Sequence, residues 1–172
     1  TTLLRVSNNP RHENNERRKM TTCTRDLHFF EKYHNALFNC TKPYQYVGGE
    51  FLSANKDFDK ATVRFAFAFP DKYEIGISNL GLRVLYDRVN SQERYMADRV
   101  YAPEKDFKPE PLYSLESKRE IKEFDAVGFS LQYELAYPTV LKMLEMAGIP
   151  YRNCDRKETD PIIMAGGPCA FN

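Results

Sequence analysis

The sequence contains no tryptophan, no Cys-x-x-Cys pair and no glycine-rich nucleotide-binding motif. Its four cysteines lie far apart, at positions 23, 40, 154 and 169, which is typical of free thiols rather than of a disulfide framework or a zinc site. No apolar run approaches the roughly 20 residues that span a bilayer, and the first residues lack the apolar stretch of a secretory signal. We therefore expect a cytoplasmic protein that holds no metal in this chain and contacts no membrane.

The charges of the chain are nearly balanced, with 25 Lys and Arg against 24 Asp and Glu. Binding to nucleic acid would require a concentrated basic face, so no nucleic-acid partner is expected. Residues 1–25 are polar and unpatterned, and such a segment buries too little apolar area to offset the entropy lost on ordering. It is predicted to be disordered, with a basic nucleic-acid-binding arm as the alternative.

Residues 26–60 are predicted to form a helix and an extended lead-in to the main domain. Between Asp26 and Cys40 the apolar residues recur at helical spacing, with Asp26 as the N-cap. The stretch 42–51 contains a Gly-Gly pair and is predicted to be extended with a turn.

Residues 61–172 alternate between strand and helix patterns. Strands are predicted at 62–69, 95–101, 125–131 and 161–165. The helices after the first and third strands carry the apolar stripes Leu80, Val84, Leu85, Val89 and Val140, Leu141, Leu144, Ala147. This alternation predicts an α/β domain, Rossmann-like or flavodoxin-like, with a parallel sheet of four to five strands and flanking helices. A doubly wound domain normally has a further helix after its last strand, so this domain is predicted to be incomplete at its C-terminus.

Open parallel sheets bind ligands beyond the carboxyl ends of their strands, and three such ends carry unusual residues here. The residues predicted to contact a cofactor are Asp71, Tyr73, Gly76, Ser78, Ser130, Gln132, Tyr133, Gly166 and Gly167. The glycines allow close approach of the backbone to a large ligand, and the tyrosines offer flat apolar surface. The absence of a phosphate-binding loop argues against a nicotinamide site. No catalytic residue is predicted in this chain.

The first strand end resembles a known cofactor loop. The pattern Asp71-x-Tyr73-x-x-Gly76 resembles the Asp-x-His-x-x-Gly loop of cobalamin-binding domains, with tyrosine in place of the cobalt-ligating histidine. Ser130 and the pair Gly166-Gly167 resemble the serine and the glycine pair of that fold. In sequence order, YVGGEF, VRFAFAFPDKYEIGISNLG, LYSLES, EFDAVGFSLQYEL and IIMAGGPCAFN closely resemble the N-terminal region of cobalamin-binding-type radical S-adenosylmethionine (SAM) proteins. The resemblance covers residues 42–172.

This resemblance implies a cobalamin-binding-type domain, residues 61–172, that positions a cofactor or substrate for radical chemistry in a downstream radical SAM domain. The [4Fe–4S] cluster and SAM would be bound only in that downstream partner, because the Cys-x-x-x-Cys-x-x-Cys motif is absent from this chain. The full-length protein is expected to be an enzyme, and this chain alone is not expected to be catalytic.

The tyrosine at position 73 changes what is expected of the cofactor. A phenol, with a pKa near 10, is a poor cobalt ligand at neutral pH, so any bound cobalamin is expected to lack a protein axial ligand. Two alternatives remain open. One is a cofactor-free Rossmann-like module that serves as a scaffold or interaction surface. The other is a flavodoxin-like domain, which would need a Ser/Thr-rich phosphate loop that FPDKYEIG does not supply.

Overall fold

The computed structural model describes residues 27–171. The predictions for residues 1–25 and for the Asp26 cap therefore lie outside the described residues. The chain divides into two compact units, one ending at His34 and the other beginning at Asn35. Helix α1 covers residues 27–39, as the apolar spacing predicts. None of the helices within 27–171 is long and apolar enough to cross a membrane.

The second unit is built on one parallel sheet. Its strands are β1 (Val63–Phe69), β2 (Tyr95–Tyr101), β3 (Ala126–Ser130) and β4 (Ile162–Gly166). They lie in the order β2-β1-β3-β4, and every neighbouring pair is parallel. The predicted α/β fold of Rossmann-like or flavodoxin-like type is therefore confirmed. The first strand is central, as expected for a strand without a strongly polar face.

After α1, four α-helices accompany the strands in the described part of this unit. They are α2 (Tyr44–Val47), α3 (Tyr73–Ile77), α4 (Leu80–Asn90) and α5 (Tyr137–Met146). Two of them correct the sequence prediction, because α2 lies in the supposedly extended lead-in and α3 lies in the supposed loop after β1. Pro43, at φ −61°, already has the helical backbone that suits the start of a turn. Gly48, at φ 71°, follows the last residue of α2 and caps it.

The main core lies on the face of the sheet that carries the alanines of β1. Ala66 and Ala68 are buried there, in the same core as residues of α5. The core on this face includes Val127, Phe129, Met143, Leu144 and Ile149. A smaller core on the opposite face joins Phe69, Leu82, Tyr101 and Leu115. Helices α5 and α4 thus contribute to the cores on opposite faces of the sheet, as expected for a doubly wound arrangement.

The buried face of α4 is not the one that the sequence predicts. Of the predicted stripe, Leu80, Val84 and Leu85 are exposed. Leu82 and Tyr86 are buried instead. The prediction is wrong because it considered only the aliphatic residues of the helix, whereas the aromatic residue Tyr86 lies on the buried face. The Tyr86 ring lies under the Arg99 guanidinium, and its hydroxyl accepts a hydrogen bond from the Ala54 amide at 2.7 Å.

The buried face of α5 differs from the predicted apolar stripe at one position. Leu144 and Ala147 are buried as predicted, but Leu141 is half exposed. Met143 and Met146 are buried within the same core. The unbranched methionine side chain fills gaps that a fixed leucine rotamer would leave.

Candidate functional site

The three predicted turns meet at one rim of the sheet, at the carboxyl ends of β1, β3 and β4. The amide of Leu131 donates to the Gly166 carbonyl at 2.7 Å, and the amide of Cys169 donates to the Leu131 carbonyl at 3.2 Å. The turn after β1 joins them through a hydrogen bond from the Tyr133 hydroxyl to Asp71. The parallel sheet therefore brings residues about 60 and about 95 positions after Asp71 into one place.

Asp71 organises this rim. One of its carboxylate oxygens accepts the Lys72 amide at 2.7 Å, and the other accepts the Tyr133 hydroxyl. The hydrogen bond to Asp71 raises the pKa of Tyr133, and partial burial adds to the effect. The Tyr133 ring is thereby fixed beside the first turn, where it remains exposed.

Tyr73 turns away from the rest of the rim. Its hydroxyl donates to Glu50 at 3.1 Å, and its ring meets Tyr101 edge-on, with the centroids 5.3 Å apart. Burial, reinforced by the Glu50 carboxylate, raises the pKa of Tyr73 to about 12. The phenol is therefore neutral at physiological pH, and its oxygen faces the lead-in segment.

The glycines of the rim differ in what they do. A Cβ atom on Gly76 would overlap the Tyr101 ring, and one on Gly167 would lie 2.5 Å from the Leu131 carbonyl oxygen. Both positions need glycine because the protein's own atoms occupy the space. A Cβ atom on Gly166 would meet no atom within 4 Å, so this glycine leaves open space at the end of β4.

The polar residues of the rim bind one another or their own backbone. Gln132 donates through its amide nitrogen to the Ser130 hydroxyl at 2.7 Å. Ser78 lies at the end of α3, where its hydroxyl donates to the Ile75 carbonyl at 2.9 Å. The structure thus brings Asp71, Ser130, Gln132, Tyr133 and the glycine pair together. Tyr73 and Gly76 instead face the lead-in segment and β2, and Ser78 bonds to the backbone of α3.

Sequence reasoning missed a buried charged network behind Tyr73. Arg99, on β2, donates through Nε to Glu116 at 2.6 Å and lies 3.5 Å from a Glu50 oxygen. On the other face of β2, Asp98 accepts the Ser114 hydroxyl at 2.7 Å and the Ser117 amide at 3.0 Å. A signal was present, because two adjacent charges interrupt the otherwise uncharged strand YMADRVY. Their partners, however, lie far away in the sequence.

Burial dominates the electrostatics of this network. Burial, and then the nearby Asp98 carboxylate, raises the pKa of Glu116 to about 7, although Arg99 acts in the opposite direction. Burial also raises the pKa of Asp98, against the hydrogen bonds from Ser117 and Ser114. Both carboxyl groups therefore bind protons more tightly in the folded chain than in the unfolded one.

The raised pKa of Glu116 predicts that the chain is more stable in mild acid. The folded state binds the extra proton, so stability is lost as the pH rises from the ordinary value of 4.5 to about 7. We expect the free energy of unfolding to fall by about 3 kcal/mol over that interval because of this group. Urea unfolding at several pH values measures the slope, which Glu116→Gln should flatten and the exposed control Glu158→Gln should preserve. Equal slopes in both variants would contradict the assignment.

These elements define an open parallel α/β domain with a candidate ligand site at its strand ends. A family model described as "Radical SAM proteins, N-terminal" matches residues 81–172, which is more than half of the chain. The chain belongs to this family of radical SAM proteins, within their N-terminal region.

One curated relative is an uncharacterized protein of Methanocaldococcus jannaschii, 32% identical over 108 residues. The match covers 62% of this chain and 19% of the relative, so the chain spans about a fifth of the length of the relative it matches. No solved structure matches the chain significantly. Among residues 27–171, no group of three or more His, Cys, Asp or Glu side chains could hold a metal ion.

Proposed function

We propose that this chain is the ligand-binding N-terminal domain of a radical SAM enzyme. We propose further that the rim at its strand ends binds cobalamin through contacts with the ring and without a protein ligand to cobalt. The observation that carries the proposal is the convergence of the turns at Asp71, Tyr133 and Gly166 on one rim. A broad, flat molecule needs such a shared edge. The family membership supports a partner domain that binds the [4Fe–4S] cluster and SAM.

The residues of the rim are suited to contact the flat corrin ring of cobalamin, but they are not suited to ligate its cobalt. Tyr73 stands where the similar loop of cobalamin-binding domains has its histidine, yet its hydroxyl donates to Glu50 and burial raises its pKa to about 12. A neutral phenol is a poor metal ligand, so no protein atom is expected on cobalt. Bound cobalamin would supply a metal centre able to carry an alkyl group.

The other rim residues have separate roles under this proposal. Gly166 provides open space at the end of β4. Tyr133 provides an exposed ring whose orientation Asp71 fixes. The Ser130–Gln132 pair provides a polar edge that can exchange its internal hydrogen bond for one to the ligand. Because these groups are already ordered by one another, little entropy is lost when a ligand binds.

A second candidate function is a cofactor-free scaffold for the radical SAM domain. It is favoured by the filled space at Gly76 and Gly167 and by the hydroxyls of Tyr73 and Tyr133, which already have partners within the chain. In that case the rim is a rigid contact surface, and no cofactor enters it.

The test uses the full-length protein with hydroxocobalamin. After gel filtration, the visible spectrum should show retained corrin, and Tyr73→Phe should leave the spectrum unchanged because no phenolate binds cobalt. Gly166→Leu should weaken retention by at least about tenfold, equivalent to about 1.4 kcal/mol. The control Ala165→Leu adds a similar volume at an exposed position of the same strand, on the opposite face. Absence of retention at micromolar concentrations would refute cobalamin binding and leave the scaffold function.

A further inference from the structure

The turn at Glu50–Ser53 displays two large apolar side chains to solvent. Phe51 is 90% exposed, more than any other large hydrophobic side chain in the described part of the chain, and Leu52 beside it is 64% exposed. Single exposed hydrophobic residues are common on protein surfaces. This pair differs from them in the way its backbone is held.

Buried groups anchor the turn from below. The Ser53 amide donates to the Glu50 carbonyl at 3.0 Å and closes the turn. Arg99, which is buried, donates to the Ser53 hydroxyl at 3.1 Å and pairs with the Glu50 carboxylate at 3.5 Å. The next amide, that of Ala54, donates to the Tyr86 hydroxyl at 2.7 Å. Both ends of the turn are therefore tied to buried side chains, while the two central residues point outward.

The backbone of this turn is strained at Leu52. Its φ is 65°, in the left-handed region that glycine enters readily and a leucine does not. In a turn closed by a bond from residue four to residue one, the third position with positive φ is normally glycine. Strain of this kind persists only where the surroundings impose it, and it concentrates at sites of recognition. The chain thus presents a large apolar side chain at a position where glycine would be relaxed.

We propose that Phe51 and Leu52 form a docking knob that inserts into an apolar pocket on the part of the polypeptide that follows this domain. Two observations select this occupant over a second copy or a separate protein. The chain spans about a fifth of the relative's length and belongs to an N-terminal family region, so most of such a protein lies outside it. The turn also lies beside the start of α3, because the Tyr73 hydroxyl donates to Glu50.

The arrangement has the features of an interaction hot spot. The backbone that carries the aromatic anchor is held in place before binding, so little backbone entropy is lost on docking. Docking here would bring the following domain against the Tyr73 side of the rim. This proposal depends on the family membership and not on whether the rim binds cobalamin, so the two can fail independently.

Photocrosslinking of the full-length protein tests the docking knob. Benzoylphenylalanine replaces Phe51 in one sample and Phe38, which is 82% exposed on α1, in the control. After irradiation, mass spectrometry should find intramolecular crosslinks from position 51 to one segment beyond residue 172, and none to that segment from position 38. Crosslinks only to a second copy, seen as a dimer on a denaturing gel, would overturn the proposal. Absence of any crosslink from position 51 would do the same.

A second measurement does not depend on the photoprobe. In the full-length protein, the double change Phe51→Ser and Leu52→Gly should increase the rate of limited proteolysis between this domain and the next by at least about fivefold. Glycine keeps the turn, because φ 65° suits it. The control Phe38→Ser should leave that rate unchanged. Equal rates in the double variant and the unchanged protein would refute docking at this turn.

Discussion

Replacing Gly167 with alanine is expected to lower the free energy of unfolding by about 2–6 kcal/mol. Two causes add together: the new Cβ would lie 2.5 Å from the Leu131 carbonyl oxygen, and φ is 106°. Overpacking against atoms that cannot move costs about 1–3 kcal/mol, and a non-glycine residue at such a φ costs about 1–3 kcal/mol. Leu131 cannot easily withdraw, because its amide and its carbonyl both form hydrogen bonds at the rim. Urea unfolding measures the loss.

The adjacent glycine provides the matched control. Gly166 has φ outside the left-handed region, and a Cβ there would meet no atom within 4 Å. Gly166→Ala should therefore change the stability by less than about 0.5 kcal/mol, as is usual for open surface positions. Similar losses in both variants would show that the glycine pair as a whole, and not the close approach at Gly167, sets the requirement.

The second large effect is expected at Arg99. Arg99→Met should lower the free energy of unfolding by about 3–5 kcal/mol, because it leaves the buried Glu116 carboxylate without its partner. The change also removes the contacts to Ser53 and Glu50 that hold the displayed turn. The loss should be smaller at pH 5.5 than at pH 8, because Glu116 can take up a proton in acid. Urea unfolding at both pH values checks the size and the direction of the difference.

An exposed ion pair provides the control for this variant. Lys142 pairs with Glu145 at 2.8 Å on the surface of α5, and both side chains are more than half exposed. Lys142→Met should cost less than about 1 kcal/mol, because solvent screens such pairs. A loss at Arg99 no larger than this would mean that the buried network contributes little to stability.

The network and the rim are linked by one residue, Tyr73. Its hydroxyl donates to Glu50 and its ring packs on Tyr101, while the backbone that carries it begins α3 at the end of the first turn. Arg99, Glu116 and Glu50 therefore fix the orientation of a side chain that the sequence predicts to contact a cofactor. The same charges fix the turn that displays Phe51. Substitutions of Arg99 should for this reason alter both the orientation of Tyr73 and the turn that carries Phe51.

The class of the fold and the edge of the sheet where a site lies follow from the order of the residues. Alternating strand and helix patterns require a parallel sheet, and parallel strands bring their carboxyl ends together, so Asp71, Ser130 and Gly166 can be assigned to one rim from the residue pattern alone. The motif resemblance to radical SAM proteins likewise needs only that order. These features depend on periodicity and local composition, which can be read directly from the sequence.

Three other features depend on the folded arrangement: which glycines border open space, which face of α4 is buried, and where the Tyr73 hydroxyl points. Gly166 and Gly167 are the same residue type side by side, yet one faces open space and the other the Leu131 backbone. The partners of Arg99 are Glu50, Ser53 and Glu116, which no local pattern connects to β2. Such contacts form because the fold brings distant segments together, and their geometry follows from packing rather than from spacing along the sequence.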